Sequence, residues 1–223
     1  MTNKTQWPES SIRSLLTHIY ILCLAPGLIA FWLSYSARHE GHIFSAELLV
    51  HYLAAACLFM LTATLAISPL SRMLSQPNLG IIRRPLGLAA FGYAFVHWVA
   101  IFWLYEFNGT AIWFAFSLNP ALWSALLALL LMVPMALTAT HQSMHDLGVW
   151  WRRIHSAIYV VSLLWLFYMV KSFSVTLGDR ILFSLICLLL IVRIYHGYSL
   201  QSKKAQLMEH LESKKKDQDK TDD

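Results

Sequence analysis

Histidine is the residue type whose placement in this chain calls for a chemical reason. Ten histidines stand against three cysteines. One of them, His97, lies inside G-Y-A-F-V-H-W-V-A-I-F-W, Gly92 to Trp103, with no charged residue within eight positions on either side. A neutral imidazole offers a nitrogen lone pair suited to iron and other transition metals. An ionisable side chain at membrane depth is expensive and is usually kept for function. Three more histidines sit in or beside apolar runs: His51 in V-H-Y-L, His18 in T-H-I-Y and His155 in W-W-R-R-I-H-S-A-I-Y. Cys23, Cys57 and Cys187 are widely spaced and form no C-x-x-C, which argues against a disulfide framework or a zinc site. His39, His42, His141, His145, His196 and His210 fall in loops, at a helix exit or in the tail, and read as solvated residues.

The elements that must hold these residues are membrane helices. Of 223 residues, 57% are hydrophobic and 13% charged, about half the charged share of a soluble domain, roughly 25%. Mean hydropathy is +0.54. Six apolar runs, 14–35, 48–68, 86–105, 120–140, 154–171 and 179–199, each approach the roughly 20 residues that cross a bilayer as a helix. The reading is an all-α integral membrane protein: an N-terminal segment 1–13, a six-helix bundle 14–199 and a polar tail 200–223. Ser68-Pro69 closes the second run, Arg83-Arg84-Pro85 opens the third and Asn119-Pro120 the fourth. Pro26-Gly27 and Pro134 suggest kinks. The segments 36–47 and 106–119 read as loops too short to be domains.

Lysine and arginine placement orients the bundle. One side has only Arg38, Lys171 and Arg180; the other holds the remaining basic residues, including Arg83, Arg84, Arg152, Arg153 and the tail lysines. Both termini are therefore expected in the cytoplasm. The net charge of +5 follows this topological pattern and suits anionic lipid headgroups, with no nucleic-acid partner implied. No cleavable signal peptide is expected, since the first run is as long as a span and lacks a small-residue cleavage site.

Helix rise converts these positions into depth. His97, about 12 residues into a helix that starts inside, sits near mid-membrane. His51 falls in the first turns of a helix that starts outside. The two share an outer layer, with His18 and His155 in an inner one roughly 10–20 Å away. Facing imidazoles from different helices can be the axial ligands of a haem iron, and two stacked haems would carry electrons across the membrane. The alternative for each histidine is a hydrogen bond to a neighbouring helix, or an interfacial position for His18 and His155. Trp98 and Trp103 fit either a porphyrin lining or ordinary interface anchoring.

Three segments carry a family resemblance: H-Y-L-A-A-A-C-L-F-M-L-T-A-T-L-A-I-S-P-L-S-R (51–72), R-R-P-L-G-L-A-A-F-G-Y-A-F-V-H (83–97) and T-A-T-H-Q-S-M-H-D-L-G-V-W-W-R-R-I-H-S-A-I-Y (138–159). With the six-helix plan, they resemble the MsrQ (YedZ) family, the haem-binding membrane subunits of the bacterial periplasmic methionine-sulfoxide reductase system, within the ferric-reductase-like transmembrane domains. The resemblance implies b-type haem, one or two groups, in the bacterial inner membrane. It implies electrons drawn from the quinone pool or a cytoplasmic flavin reductase, and a periplasmic molybdopterin-containing partner that reduces oxidised methionine in damaged envelope proteins. FMN is implied by the resemblance only, since the sequence contains no nucleotide-binding motif.

Carried over by position, the family's haem histidines fall on His97, His155 and His51. A further family histidine, thirteen residues after the one at 155, is here Tyr168. Thirteen residues is roughly 20 Å of helix, which places Tyr168 in the outer layer beside His97. Tyrosine can ligate haem iron, yet the pairing favoured here is His51 with His97. Tyr168 is left as a propionate partner or packed aromatic, and His155 with His18 as the candidate second pair. Arg83 and Arg84, with Arg152 and Arg153, would hold propionates, attract an anionic donor or serve as positive-inside anchors.

The chain is read as an electron-transfer subunit that does not itself perform the substrate chemistry. A stand-alone ferric or quinone-linked reductase is the near alternative. A small proton-coupled transporter or an assembly factor is the distant one. Proton-coupled transport typically pairs membrane histidines with intramembrane Asp or Glu, and the nearest acidic residue to a span interior is Glu106, close to an outer end.

Overall fold

The computed structural model describes residues 9–39, 46–172, 177–178, 180–181, 183–192 and 195. Its helices are α1 (Glu9–His39), α2 (Ala46–Met73), α3 (Arg83–Leu104), α4 (Gly109–Leu118), α5 (Ala121–Leu137), α6 (His141–Leu147), α7 (Val149–Ser156) and α8 (Ile158–Ser172). A 3-10 helix, Pro77–Ile82, leads into α3. All of these belong to one compact unit that runs to Ile186; a second unit begins at Cys187, and the apolar helix Phe183–Val192 crosses that boundary.

Among the described residues, four helical stretches are long and apolar enough to cross a membrane: Ser14–Trp32, Glu47–Met73, Asn78–Leu104 and Val149–Lys171. The pair α4 and α5 makes a fifth if it counts as one span, although it bends by 107° at its break. The expected sixth span, 179–199, lies partly outside the described residues.

α2 is central, with 67% of its apolar window buried, whereas α1 has 11%. The sequence explains why α2 tolerates that position. Glu47 in the first turn and Arg72 in the last oppose the helix dipole favourably. Thr62 and Thr64 donate their hydroxyls to the carbonyls of Leu58 and Met60, each at 2.7 Å, so no polar group is left for lipid to solvate. α2 packs extensively on α3, and both carry fully buried alanines, Ala54 on α2 and Ala90 and Ala94 on α3. Small side chains let backbones approach closely, which is the main route to helix association in lipid.

The expected loop 106–119 is largely helical. Glu106 and Phe107 both take positive φ, 50° and 55°, and turn the chain back after α3. Asn108 then caps α4, its Oδ1 accepting from the amides of Thr110 and Ala111 at 3.0 and 3.3 Å. α4 stops at Asn119, whose Oδ1 accepts from the Ala121 amide at 3.1 Å as α5 opens. The expected fourth span, 120–140, corresponds to α5, which runs through Pro134 and ends one turn later. The expected fifth span, 154–171, starts earlier, in α7, and passes through a single turn residue at Ala157. α3 also begins sooner than expected, at Arg83, with Pro85 in its first turn.

α1 stays helical through Pro26 and is tied to α3 at that point. The Tyr93 hydroxyl accepts from the Gly27 amide at 2.9 Å and donates to the Cys23 carbonyl at 2.5 Å. Those two backbone groups would pair directly in an uninterrupted ladder. A Cβ on Gly27 would lie 3.4 Å from the hydroxyl oxygen, so a methyl fits and a longer side chain does not. Tyr93→Phe is therefore expected to cost about 1–2 kcal/mol and Gly27→Ala clearly less. Gly27→Leu should cost more than either, because it displaces the ring. Thermal or denaturant unfolding of the three variants in detergent micelles checks the order.

Candidate functional site

Three helices meet at His97. The ring is fully buried on α3, and its Nδ1 lies 2.9 Å from the carbonyl oxygen of Val50 on α2. A carbonyl can only accept, so Nδ1 carries the proton and Nε2 of the neutral ring presents a lone pair. That Nε2 is buried and has no hydrogen-bond partner. From α8, Trp165 and Tyr168 each place a ring edgewise against the imidazole, with centroids 5.3 Å away in both cases and interplanar angles of 68° and 74°. Both aromatic residues are essentially fully buried. Trp165 donates its indole N–H to the Ala54 carbonyl at 3.0 Å. Val50 and Ala54 are one helical turn apart, so successive carbonyls of α2 anchor the histidine of α3 and the tryptophan of α8.

The arrangement is that of an imidazole prepared for a metal. One ring nitrogen donates to a fixed backbone acceptor, which sets the tautomer and the ring orientation; the other keeps its lone pair in a dry, apolar setting. Among the described residues no group of three or more His, Cys, Asp or Glu could hold a bare metal ion.

The remaining expected site residues are placed as follows. Tyr168 is packed on His97, as above. His51 follows Val50 on α2 and is half-buried. His155 is half-buried on α7, stacked on Trp151 at 4.0 Å and 23°. Its Nδ1 is 3.1 Å from the Trp151 carbonyl, and the Met135 backbone on α5 is a second partner. Trp151 in turn donates to the Thr138 carbonyl at 2.9 Å. His18 is exposed on α1, its Nδ1 2.6 Å from the Ser14 carbonyl of its own helix. α1 packs on α2, α3 and the 3-10 helix, and α7 packs on α5, α6 and α8. His97 thus lies against Tyr168 and bonds the backbone of the helix that carries His51, while His18 and His155 sit on helices that, among the described residues, pack on different elements. Arg83, Arg84, Arg152 and Arg153 are exposed, and Arg153 lies over the Trp150 ring at 4.8 Å. His39, His42, His196 and His210 have side chains outside the described residues.

Two participants escaped the sequence reading. Trp165 lies three residues before Tyr168, a spacing that puts both on one helix face, and W-x-x-Y is the signal that could have found it. The Val50 carbonyl has no side-chain signature at all.

The family described as ferric reductase like transmembrane component matches residues 41–166. Curated proteins named protein-methionine-sulfoxide reductase heme-binding subunit MsrQ match as well. That of Bordetella pertussis is 31% identical over 147 residues, covering 66% of this chain and 70% of its own length. That of Xanthomonas campestris pv. campestris is 34% identical over 160 residues, covering 69% and 73%. That of Klebsiella pneumoniae is 31% identical over 183 residues, covering 79% and 90%. No solved structure matches. The matched core, 41–166, contains His51, His97 and His155, and with relatives of this identity and coverage the chain belongs to the MsrQ family of ferric-reductase-like transmembrane proteins.

Proposed function

We propose that this chain is a b-type cytochrome of the bacterial inner membrane, with both termini cytoplasmic. It relays electrons from quinol or a cytoplasmic flavin reductase to a periplasmic molybdopterin-containing methionine-sulfoxide reductase, for repair of oxidised envelope proteins. The observation that carries the reading is the buried Nε2 of His97, without a partner, on a ring whose other nitrogen is anchored to Val50. One imidazole cannot cage a bare ion, so a metal at this place must bring most of its own donors, as a porphyrin does. A bound haem would supply reversible one-electron chemistry there.

The chain's own residues do the rest. Val50 holds the His97 lone pair in one direction. Trp165 and Tyr168 exclude water from the imidazole and lower the local dielectric, which strengthens the electrostatic interactions inside. His51, on the helix facing His97, would be the second residue to hold the group. His155 also holds its Nδ1 on a backbone carbonyl, that of Trp151, as His97 does on Val50, and would serve a second haem through its other ring nitrogen; the reading rests on one haem first. Arg83 and Arg84 have exposed side chains at the start of α3, where they suit an anionic donor or the headgroup layer. FMN comes to this chain by resemblance alone.

Two outcomes are expected. Membranes containing the overproduced protein, reduced with dithionite, show the paired visible bands of low-spin b haem, and His97→Ala loses at least one haem per chain by haemochrome assay; full haem content in that variant overturns the assignment. Tyr168→Phe keeps the reduced spectrum of the parent, since its role is packing. A change of bands or spin state would instead make the phenol a ligand.

A further inference from the structure

A second buried polar atom lies next to His97 in the chain. Trp98 is 3% exposed, and its indole Nε1 has no hydrogen-bond partner. The two other indoles withdrawn from the surface find backbone carbonyls: Trp165 donates to Ala54 and Trp151 to Thr138. Trp98 is surrounded differently. Phe102 and Phe116 stand against it, with ring centroids at 5.9 and 5.7 Å, and Phe116 packs in turn on Trp123 at 4.8 Å. None of these rings offers an acceptor. Buried donors in native proteins are satisfied almost without exception, and one left open points to a group from outside the chain. An indole N–H can only donate, so that group presents an acceptor and is not bound through a metal at this atom.

His97 and Trp98 thus offer complementary functions on consecutive residues: a lone pair for a metal and an N–H for an acceptor. A b-type haem carries its oxygen acceptors only on its two propionates. Trp98 lies in the last two turns of α3, which ends at Leu104, so an acidic edge held there is within roughly 10 Å of that helix end. We infer that the Trp98 indole N–H is a cofactor-binding donor, holding a propionate of the haem that His97 ligates. The inference rests on the haem reading of His97 and adds a residue to it.

The test compares full-length wild-type protein, Trp98→Phe and Phe116→Leu in detergent. Phe116→Leu loosens the same packing without removing a donor. Trp98→Phe is expected to lose haem to apomyoglobin about tenfold faster than wild type, the equivalent of roughly 1.4 kcal/mol and in the range of one hydrogen bond to a charged group. Its propionate-bending band in resonance Raman should shift, and thermal unfolding of the haem-free protein should fall no further than in Phe116→Leu, because without haem both changes only loosen apolar packing. Phe116→Leu should leave the Raman band in place. Haem loss at the wild-type rate from Trp98→Phe overturns the inference, as does equal acceleration in both variants with no Raman change. A wild-type protein that takes up no haem overturns the reading of His97 itself, a result distinct from either.

Discussion

The contact between His97 Nδ1 and the Val50 carbonyl, 2.9 Å long, organises the interior. It settles the tautomer of a ring that water cannot reach, and so decides that the outward-facing nitrogen is a lone pair and not a second N–H. The bond exists only because α2 and α3 pack closely on each other, and small side chains are what let helix backbones do so in lipid; Ala54 on α2 and Ala90 and Ala94 on α3 are fully buried. The same α2 strip, one turn on, accepts from Trp165. A backbone carbonyl cannot be substituted away, so the donor geometry at His97 depends on how α2 and α3 sit against each other. An imidazole released from Val50 would bury an unsatisfied N–H, at a cost of about 1–3 kcal/mol, and would lose its fixed direction.

Height in the membrane was legible in the sequence, because helix rise is constant. Counting residues set position 168 level with His97, and the two rings are in contact. Rotation about each helix axis was not legible. The spans are apolar all round, so their periodicity gives no preferred face, and nothing in V-H-Y-L or T-H-I-Y distinguishes the half-buried His51 from the exposed His18. The neighbours of His155 were hidden for the same reason: a carbonyl of α5 and the face of Trp151 become partners only once α5, α7 and α8 are packed. α4 was missed for a different one. Its sequence, G-T-A-I-W-F-A-F-S-L, is as apolar as a span but half as long, and only the Asn108 cap and the Asn119-Pro120 break mark it as an element of its own.

α1 shows how little contact a membrane helix requires. Tyr20, Leu24, Leu28, Phe31 and Trp32 are exposed along it, and lipid solvates these side chains as well as protein would. With no hydrophobic force pressing α1 onto the bundle, its attachment relies on specific polar bonds and close approach. Tyr93 supplies both, by joining Gly27 to Cys23 beside the proline that already thins the hydrogen-bond ladder.

The surroundings of His97 also favour the proposed electron relay over proton carriage. A histidine that shuttles protons through a membrane needs an acidic or aqueous partner on the ring nitrogen that changes state. Here that nitrogen is buried without a hydrogen-bond partner, on a ring packed against the indole of Trp165 and the phenol of Tyr168. A neutral lone pair in a dry site suits binding a metal that changes charge by one electron, and it does not suit a proton that must enter and leave. The chemistry the chain can support at this position therefore follows from which atoms are left unpaired there, more than from the presence of a histidine.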